Sequence, residues 1–595
     1  MKISKQDIPW RSLKVIKYPP RMRSQAKHRD IVGFDTETID GYCRLITDSN
    51  GRFLWCDKVD GILDFLTYRG YRGCFGTFYN LRYDAQAVLK YLPGDLLQEL
   101  YDVGSTRYRE YEIHYIPKKF WSITRGGRRY TFYDVAQFYM TSLEKAGHRY
   151  LGRGKDLGGI DRARLGTDPD YWSDKLDRIL HYCIADSVLC RDLTEHLVET
   201  YSGEIGYYPH NLISRASVAK NYLRERVLLP NITKIPTGAL RMSFSAYYGG
   251  RFEVLQKGHF SRAWGYDLNS AYPHHISKLI DITRGKWKDT FNFGDGAYYG
   301  YYQVKIRYRK QDVGVVPFRM GSGRVCFPVG EFATVINRSE YEQLEKVANI
   351  EILRGWEFYP DEIIYPFRDL VYHVYNVKNQ TDKSTFKYDL YKRLLNSIYG
   401  SFYEKYRQGG RYRTGLMFNP VYATEITAGT RLDCLKILRQ SGNHIISVAT
   451  DGILFDEDPE IPRSRDLGQW DLDGSGDLTV LRSGVYMLDD KYRSRGVEKD
   501  TILHTPDGTY DNIFQYIIAK PDKLEYEILR RRPRQLGECL LHKRELTPDD
   551  INKFMDISYT IQINGDYKRY FPDSFESGGE IFDRRIKSYP LLFLD

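Results

Sequence analysis

The sequence predicts a multidomain protein of mixed α/β and α+β class, and three observations support this expectation. The chain has 595 residues, enough for two or three large domains or about four of average size. Its residues are 42% hydrophobic and 28% charged, so the chain can bury a core and is not mainly disordered. Strand-like apolar runs alternate with helical patterns in the first third of the chain, as they do in α/β proteins.

The positive charge is concentrated at the start of the chain. The net charge is +10, from 88 Lys and Arg against 78 Asp and Glu. The first thirty residues hold nine of these bases and two of these acids. This basic N-terminal arm (1–30) therefore contributes +7, and the rest of the chain contributes +3. The charge of the body does not by itself indicate binding to nucleic acid.

Cysteine usage and hydropathy predict the compartment. The eight cysteines include no Cys-x-x-Cys pair and no Cys/His ligand spacing, so we expect reduced thiols and no structural zinc. No run of about 18 apolar, uncharged residues occurs, which predicts no membrane span. The N-terminus lacks an apolar signal core, and Pro9, Pro19 and Pro20 would interrupt a long amphipathic transit helix. We expect a cytoplasmic protein.

Two large units follow from the order of the predicted elements. The first unit has predicted strands at 31–36 and 74–78 and a helix at 182–200. The second has predicted strands at 264–268, 299–307 and 444–455 and helices at 338–347, 384–399 and 420–438. The strand at 444–455 is a hairpin, because Asp451-Gly452 between apolar runs favours a tight turn. Residues 202–250 contain paired glycines and other turn residues and separate the units.

Carboxylates of the first unit occupy positions that suit a divalent cation. Asp35 and Glu37 are two residues apart in a strand and point to one face, where like charges repel unless a cation binds. Asp84 follows the second predicted strand. Tyr182 and Asp186 are four residues apart in a helix and share a face. Taken singly, each arrangement is common for structural reasons alone.

The second unit carries another pair of carboxylates and a polar helix face. Asp267 ends a predicted strand, and Asp451 lies in the predicted hairpin turn. Lys392, Asn396 and Tyr399 stand at i, i+4 and i+7 and form one stripe of a helix. Leucine and isoleucine side chains lie on the opposite side of that helix, so the polar stripe can face a ligand.

In this order, the motifs around these residues resemble those of family B DNA polymerases. The resemblance spans residues 34–486 and includes three exonuclease motifs and polymerase motifs A, B and C. It implies a ribonuclease-H-like 3′–5′ exonuclease domain followed by a right-hand polymerase. The implied domains are an exonuclease at 31–205, a linker at 206–250 and a polymerase at 251–595. Within the last, the implied parts are a palm at 251–273 and 411–490, an insertion at 274–370, fingers at 371–410 and a thumb at 491–595.

The resemblance assigns roles to residues of the first unit. The implied ligands of two divalent metals are Asp35, Glu37, Asp84 and Asp186, with Tyr182 orienting the attacking water. Hard oxygen ligands suit Mg²⁺, and two metals ~4 Å apart stabilise the attacking and leaving oxygens of a phosphodiester. The implied contacts with the single-stranded 3′ end are Thr38, Asn80 and Tyr83, whose ring can stack on a base. Ser142, Leu143 and Lys155 match a further exonuclease element less closely.

Roles in the second unit follow in the same way. Asp267, the Leu268 carbonyl and Asp451 would hold two Mg²⁺ ions, with Mn²⁺ as an alternative. Asp267, Asp451 and Lys392 are the implied catalytic residues of synthesis. The implied nucleotide contacts are Leu268, Tyr272, Lys378, Lys392, Asn396 and Tyr399, among which Tyr272 would reject a 2′-hydroxyl. The implied template and primer contacts are Tyr247, Gly249, Gly250 and Tyr486.

Two positions depart from the family pattern. Motif C usually carries two acids flanking a threonine, and here the first position is Ala449. The lysine of the primer-strand element is replaced by Gly484, so that a basic contact would have to come from elsewhere, for example from Lys491 or Arg495. The minimal catalytic pair of Asp267 and Asp451 is present.

The resemblance is to the protein-primed members found in bacteriophages and linear plasmids. It implies primer-template DNA, dNTPs and a terminal protein as partners of a monomer, with no membrane partner. The insertion at 274–370 is long enough to hold a region that binds terminal protein. Only 51 residues separate Gly400 from Asp451, which leaves processive strand displacement open. The basic arm is expected to be an auxiliary contact with DNA or terminal protein.

Other interpretations remain at this point. The chain could be a nuclease fused to an unrelated domain, although that does not explain the Lys392 helix. It could be a DNA-binding relic if Ala449 marks decay, or a polymerase that starts without a protein primer. A calcium loop at 471–477 is rejected, because its twelfth position is Arg482 where a glutamate is needed.

Overall fold

The computed structural model describes residues 8–15, 23–156, 158–230, 232–310, 313–408, 411–495, 502–541 and 547–594. In the first part of the chain, the strands are β1 (Leu13–Lys14), β2 (Ile31–Ile39), β3 (Tyr42–Asp48), β4 (Phe53–Trp55), β5 (Phe75–Phe78), β6 (Ser105–Tyr108), β7 (Tyr111–Ile116), β8 (Phe120–Arg125) and β9 (Arg128–Asp134). The helices there are α1 (Val59–Leu66), α2 (Leu81–Leu89), α3 (Gly94–Val103), α4 (Ala136–Tyr139), α5 (Leu143–Leu151), α6 (Arg162–Leu165), α7 (Pro169–Ser173), α8 (Leu176–Glu199), α9 (Arg215–Arg226) and α10 (Thr237–Ser245).

In the second part, the strands are β10 (Phe252–Val254), β11 (Gln256–Leu268), β12 (Gly285–Thr290), β13 (Tyr299–Tyr308), β14 (Phe318–Arg319), β15 (Val325–Cys326), β16 (Val329–Asn337), β17 (Ala348–Pro360), β18 (Lys405–Gln408), β19 (Arg411–Thr414), β20 (Ile445–Ala449), β21 (Gly452–Phe455), β22 (Trp470–Arg482), β23 (Val485–Leu488), β24 (Lys491–Ser494), β25 (Leu503–Thr505), β26 (Gly508–Tyr510), β27 (Glu525–Pro533), β28 (Phe554–Gln562), β29 (Arg585–Lys587) and β30 (Leu592–Phe593). The helices are α11 (Ala271–Ser277), α12 (Arg338–Leu344), α13 (Arg368–Gln380), α14 (Phe386–Ser401), α15 (Pro420–Ser441), α16 (Ile513–Ala519) and α17 (Leu536–Leu541).

The first sheet has the strand order β4-β3-β2-β5-β9-β8-β7-β6. Strand β2 pairs in parallel with β5 and antiparallel with β3, and helix α8 packs directly on it. A side chain at Gly33 of β2 would come within 2.1 Å of the Ser187 carbonyl oxygen of α8. Glycine is therefore needed there for helix and strand to approach, and this approach brings Tyr182 and Asp186 towards the polar end of β2.

The second sheet has the order β10-β20-β21-β11-β22-β23-β24, and β29 also pairs with β11. The long helix α15 covers one face, where Cys434, Ile437 and Leu438 pack against Tyr266 and Val448. This core supports the ends of β11 and β20, so the strands that carry Asp267 and precede Asp451 are held on a rigid base.

The other described strands form four smaller sheets, of which β1-β19-β18 and β14-β15 are two. Strands of the insertion predicted at 274–370 form a sheet of order β12-β17-β13-β16-β30, in which β30 comes from the C-terminal segment. Strands β26-β25-β27-β28 form a sheet near the C-terminus. Helix α17 contributes Leu536 and Cys539 to the core of the first unit, and Asn552 donates a hydrogen bond of 2.7 Å to the Tyr83 carbonyl. The C-terminal segment therefore docks on the first unit.

The described part of the basic arm packs on the chain itself. Strand β1 pairs with β19, and the ring of Trp10 lies 5.4 Å from that of Phe244. Arg23 donates a hydrogen bond of 3.0 Å to Asn221 of α9. Residues 1–7 and 16–22 of the arm lie outside the described residues. Among the helices that are described, none is long and apolar enough to cross a membrane.

Candidate active sites

Strand β2 presents the first pair of carboxylates. Asp35 and Glu37 alternate with buried neighbours and lie half-buried on the same face, as the strand period predicts. Asp84 stands in the first turn of α2, where its Oδ1 accepts a hydrogen bond of 2.7 Å from the Thr36 hydroxyl. Asp186 of α8 is buried and raises the pKa values of Asp35 and Glu37. The structure thus brings the four predicted acids together.

A lysine neutralises part of this acidic cluster. Nζ of Lys155 forms an ion pair with Asp186 and donates a hydrogen bond of 3.0 Å to the Tyr182 hydroxyl. Burial lowers the pKa of Lys155, but the carboxylates of Asp186 and Asp35 raise it by more, so its pKa lies above the ordinary value. The loosely predicted Lys155 therefore belongs to this site. By contrast, Ser142 caps helix α5 and Leu143 is buried in a core.

The acids of this cluster have raised pKa values. Burial, followed by repulsion from Asp186 and Asp84, holds the pKa of Asp35 well above its usual range. Burial also raises the pKa of Glu37 to about 8 and that of Asp84 to about 7. Oδ1 of Asp186 is buried and has no hydrogen-bond partner among the described residues. Crowded acids with an orphan oxygen fit a site for divalent cations.

Cys183 joins this site, although the sequence did not single it out. Ligand-type atoms of Asp35, Glu37 and Cys183 lie within 4.8 Å of one another. The thiol of Cys183 donates to Oδ2 of Asp35 at 3.7 Å and accepts from the Thr47 hydroxyl at 3.2 Å. The sequence gives no sign that a cysteine beside Tyr182 belongs to the site, because only the packing of α8 on β2 turns its side chain inwards.

The residues predicted to grip a single strand lie at the rim of the cluster. The hydroxyls of Thr38 and Tyr83 are hydrogen-bonded at 2.7 Å. Asn80 precedes α2 with a left-handed backbone (φ 71°), and its N–H donates to Asp134 at 3.1 Å. The exposed ring of Phe554, which the sequence did not single out, lies 6.2 Å from the Tyr83 ring. Thr38 and Tyr83 thus form a pair beside the four acids.

The second pair of carboxylates meets at the end of β11. Asp267 stands opposite Gly452 of β21. The N–H of Leu268 donates a hydrogen bond of 2.9 Å to the carbonyl of Asp451. The prediction of an Asp-Gly turn was wrong by one residue, because Ala449 pairs with Gly452 and the turn is Thr450-Asp451. Thr450 takes the left-handed φ of 69°, and its N–H bonds the Arg251 carbonyl. Asp451 therefore lies at the hairpin tip.

A third carboxylate faces this pair. Asp473 of β22 lines the same cavity of about 350 Å³ as Asp267, Lys392 and Ala449. Burial raises the pKa of Asp267 to about 7, and Asp451 and Asp473 add to the rise. Asp473 lies in residues 471–477, for which a calcium loop was considered and rejected in the sequence analysis. These residues are part of strand β22. The pairing of β22 with β11 brings Asp473 to the site. No motif or residue spacing in the sequence predicts this position.

Comparisons with known proteins agree with this geometry. Residues 172–409 match the family model for DNA polymerase type B, organellar and viral. The chain is 24% identical over 412 residues to a DNA polymerase of Acidianus bottle-shaped virus, covering 63% of this chain and 59% of that protein. It is 24% identical over 284 residues to a DNA-directed DNA polymerase of Enterobacteria phage PRD1, covering 41% and 49%. The chain thus spans about half the length of these relatives.

Solved structures of Phi29 DNA polymerase share the fold. One in an orthorhombic crystal form matches with a TM-score of 0.61 at 13% identity, covering 90% of this chain and all of that chain. Another, in complex with primer-template DNA, matches with a TM-score of 0.60 at 14% identity over the same shares. Residues 172–409 thus resemble type B DNA polymerases, and the chain has the fold of Phi29 DNA polymerase. The predicted fold, an exonuclease-type domain followed by a right-hand polymerase, is confirmed.

Helix α14, predicted to belong to the fingers, has the expected two-sided character. Lys392 and Asn396 are exposed, whereas Leu390, Leu394 and Ile398 are buried. Lys392 lines the cavity beside Asp267. The Asn396 side chain makes no hydrogen bond with another described residue. Its predicted role therefore rests on its position between Lys392 and Tyr399 on one face of α14.

Aromatic rings pack between the predicted nucleotide contacts. The ring of Tyr399 lies 4.4 Å from that of Tyr272, and its hydroxyl bonds that of Tyr247. Lys378 is buried and donates to the Ser270 hydroxyl at 3.3 Å. Burial, followed by the charge of Lys392, lowers the pKa of Lys378 to about 8. Lys378 and Lys392 thus lie near each other, and each adjoins a residue of motif A.

The predicted Tyr-x-Gly-Gly element lies against the hairpin predicted as motif C. A side chain at Gly250 would come within 2.6 Å of Thr450 Cγ2, whereas one at Gly249 would meet no atom within 4 Å. The guanidinium of the buried Arg431 donates to the carbonyls of Tyr248 and Gly249 at 2.8 and 2.9 Å. The element predicted to contact template is therefore physically joined to the turn that carries Asp451.

Proposed function

We propose that the protein is a DNA-directed DNA polymerase that extends a primer on a DNA template with dNTPs. The observation that carries this proposal is the meeting of Asp267 and Asp451 at the end of β11, with Lys392 in the same cavity. The match of residues 172–409 to the type B DNA polymerase model and the Phi29 fold support it. In the reaction, the primer 3′-hydroxyl attacks the nucleotide α-phosphate and pyrophosphate leaves.

The residues present fit Mg²⁺, with Mn²⁺ as an alternative. The donors are the carboxylates of Asp267 and Asp451 and the carbonyl of Leu268, which are hard oxygen ligands. Burial, followed by repulsion from Asp451 and Asp473, raises the pKa of Asp267, so a cation would stabilise these acids in their ionised form. When bound, a pair of such ions supplies Lewis-acid stabilisation of the attacking and leaving oxygens.

The chain's own side chains bind and orient the nucleotide. Lys392 is exposed on α14 and lies in the cavity beside Asp267, so its point charge can meet the triphosphate. Lys378 lies behind motif A, where it supports the same negative charge. Tyr272 packs on Tyr399, which fixes its ring beneath the position of the sugar, and Asn396 completes the nucleotide face.

We propose a 3′–5′ exonuclease activity at the first cluster. Asp35, Glu37, Asp84 and Asp186 would hold two Mg²⁺ ions, and the orphan Oδ1 of Asp186 supports this assignment. Lys155 holds the Tyr182 hydroxyl at 3.0 Å, which positions that hydroxyl to orient the attacking water. Thr38, Asn80 and Tyr83 would grip the frayed 3′ end.

The insertion at 274–370 suggests how synthesis is primed. The sheet built by the insertion at 274–370 offers a separate surface for a terminal protein, whose hydroxyl would replace the primer 3′-hydroxyl at initiation. Conventional priming is the alternative, since both catalytic clusters serve either mode. We propose a monomer that uses this insertion to replicate a linear viral or plasmid genome.

Two assays with Mg²⁺ test the proposal: incorporation of labelled dNTPs measures synthesis and priming, and loss of nucleotides from a labelled 3′ end measures the exonuclease. A primed template, an unprimed template and an unprimed template with a candidate terminal protein are offered in parallel. Asp267→Ala and Asp451→Ala should abolish synthesis and spare 3′ degradation, whereas Asp35→Ala with Glu37→Ala should do the reverse. Wild-type chain that binds DNA without incorporation would indicate a DNA-binding relic, and extension only from the annealed primer would indicate conventional priming.

A further inference from the structure

The primer-strand element of this chain lacks its usual base for a physical reason. Gly484 has a φ of +75°, and a side chain there would come within 3.0 Å of Arg495 Cβ and 3.1 Å of the Phe252 ring. A lysine at this position would be strained in backbone and side chain alike. The positive charge must therefore come from a neighbouring residue if the primer backbone is to be neutralised there.

The structure assigns this role to Arg493: resting on the proposed polymerase function, we propose that its guanidinium binds a backbone phosphate of the primer strand near the 3′ end. Arg493 stands directly opposite Tyr486 in the pairing of β23 with β24. Both residues line the cavity that holds Asp267 and Lys392. The predicted primer contact Tyr486 and a planar, permanently charged donor thus share one face beside the reacting end.

Arg493 hydrogen-bonds the Tyr486 side chain and has one exposed ion pair, which a phosphate can replace. Its NH2 atom lies 3.7 Å from Oδ2 of Asp473, and the two side chains are 43% and 60% exposed. An exposed ion pair of this length contributes little to stability, so exchange of Asp473 for a phosphate costs little. Arginine can then bind the phosphate through two parallel N–H donors.

The two bases that the sequence favoured lie elsewhere. The guanidinium of Arg495 stacks over the Phe252 ring at 4.2 Å, and Arg495 does not line the cavity. Lys491 pairs with Leu488 at the turn between β23 and β24. Its Nζ lies next to Gly474 of β22, 3.5 Å from the position that a Cβ atom would have there. Arg493 therefore stands nearer to Asp267 than its alternatives, and its charge lowers the pKa of Asp267.

Salt-dependent binding of primer-template DNA tests the assignment. Anisotropy is measured in Ca²⁺ between about 50 and 200 mM salt for wild type, Arg493→Ala, Arg493→Lys, Lys491→Ala and Arg495→Ala. Arg493→Ala should weaken binding about tenfold and reduce the slope of log Kd against log salt by about one. Arg493→Lys should keep the slope and recover part of the affinity, because the charge remains without the planar fork.

The controls separate this role from a structural one. Binding of the unprimed single-stranded template should be the same for wild type and Arg493→Ala, and both should have equal Tm. A wild-type slope for Arg493→Ala, an equal loss on unprimed template, or a reduced slope for Lys491→Ala or Arg495→Ala in its place would overturn the assignment. Failure of the wild-type chain to extend a primer would instead contradict the polymerase proposal. The comparison of DNA binding between wild type and Arg493→Ala would still test the role of Arg493.

Discussion

Nζ of Lys155 lies 3.0 Å from the Tyr182 hydroxyl and forms an ion pair with Asp186. Lys155 follows helix α5, whereas the other two residues are one turn apart on α8. One cation thus orients the tyrosine and neutralises a buried acid of the first cluster. The pairing explains how four crowded acids are accommodated, since Lys155 also lowers the pKa of Asp35 and Glu37.

Replacing Lys155 should therefore disable the exonuclease without affecting synthesis. Lys155→Ala removes the bond to Tyr182, and a misplacement of a catalytic group by about 1 Å can cost on the order of 10²-fold. We expect a loss of about that size in degradation of a labelled single strand, with dNTP incorporation unchanged. Lys155→Arg keeps the charge and should retain more activity than the alanine variant. Wild-type degradation by Lys155→Ala would remove Lys155 from the mechanism.

The raised pKa values of the first cluster predict how stability depends on pH and metal. The pKa of Glu37 is about 8 against an ordinary 4.5, and that of Asp84 about 7 against 3.8. The folded state thus holds protons that the unfolded state releases, so the free energy of unfolding falls as pH rises from about 4 towards 8. In EDTA, Tm should decrease over this window, by about 1 °C for each kcal/mol lost in a chain of 595 residues.

Metal and a matched variant isolate that effect. Mg²⁺ binds the ionised acids and should raise Tm most at the upper end of the window. Glu37→Gln cannot ionise, so its Tm in EDTA should depend less on pH than that of wild type. Identical pH profiles for the two proteins would show that Glu37 does not carry the shift.

Asp473 should take over part of the work of the missing motif C acid. It shares the cavity with Asp267 and Ala449, and it raises the pKa of Asp267. Asp473→Ala should raise the Mg²⁺ concentration for half-maximal synthesis about tenfold, because supporting carboxylates tune metal affinity by 10–100-fold. Adding Ala449→Asp should recover part of the loss. If the double variant needs as much Mg²⁺ as Asp473→Ala, the two positions are not interchangeable.

The contact between Gly250 and Thr450 should be essential for synthesis. Gly250→Ala places a methyl group 2.6 Å from Thr450 Cγ2, so the turn that carries Asp451 must shift. We expect kcat for incorporation to fall on the order of 10²-fold, with 3′ degradation retained. Gly249→Ala meets no atom within 4 Å, and its effect should appear in KM for primer-template. A loss in kcat of similar size for both variants would argue against a steric cause.

Strong local patterns predicted the elements well. The apolar run before Asp35 is strand β2, and the periodic stretch around Lys392 is helix α14. Both succeed because strand alternation and helix period depend on neighbouring residues only. The turn at Asp451 was placed one residue late, since the left-handed conformation of Thr450 is imposed by a hydrogen bond to the distant Arg251. Local turn preference gave way to a tertiary contact.

The sequence by itself predicted the fold, which is confirmed, and it predicted which acids would form the two clusters, because both predictions depend on residue types in a fixed order. Only the tertiary structure decided which further side chains join them. Asp473, Arg493 and Cys183 reach the clusters through strand register and through the packing of α8 on β2. Such placements arise from contacts between residues far apart in the chain, and the spacing of residues along one sequence does not encode them.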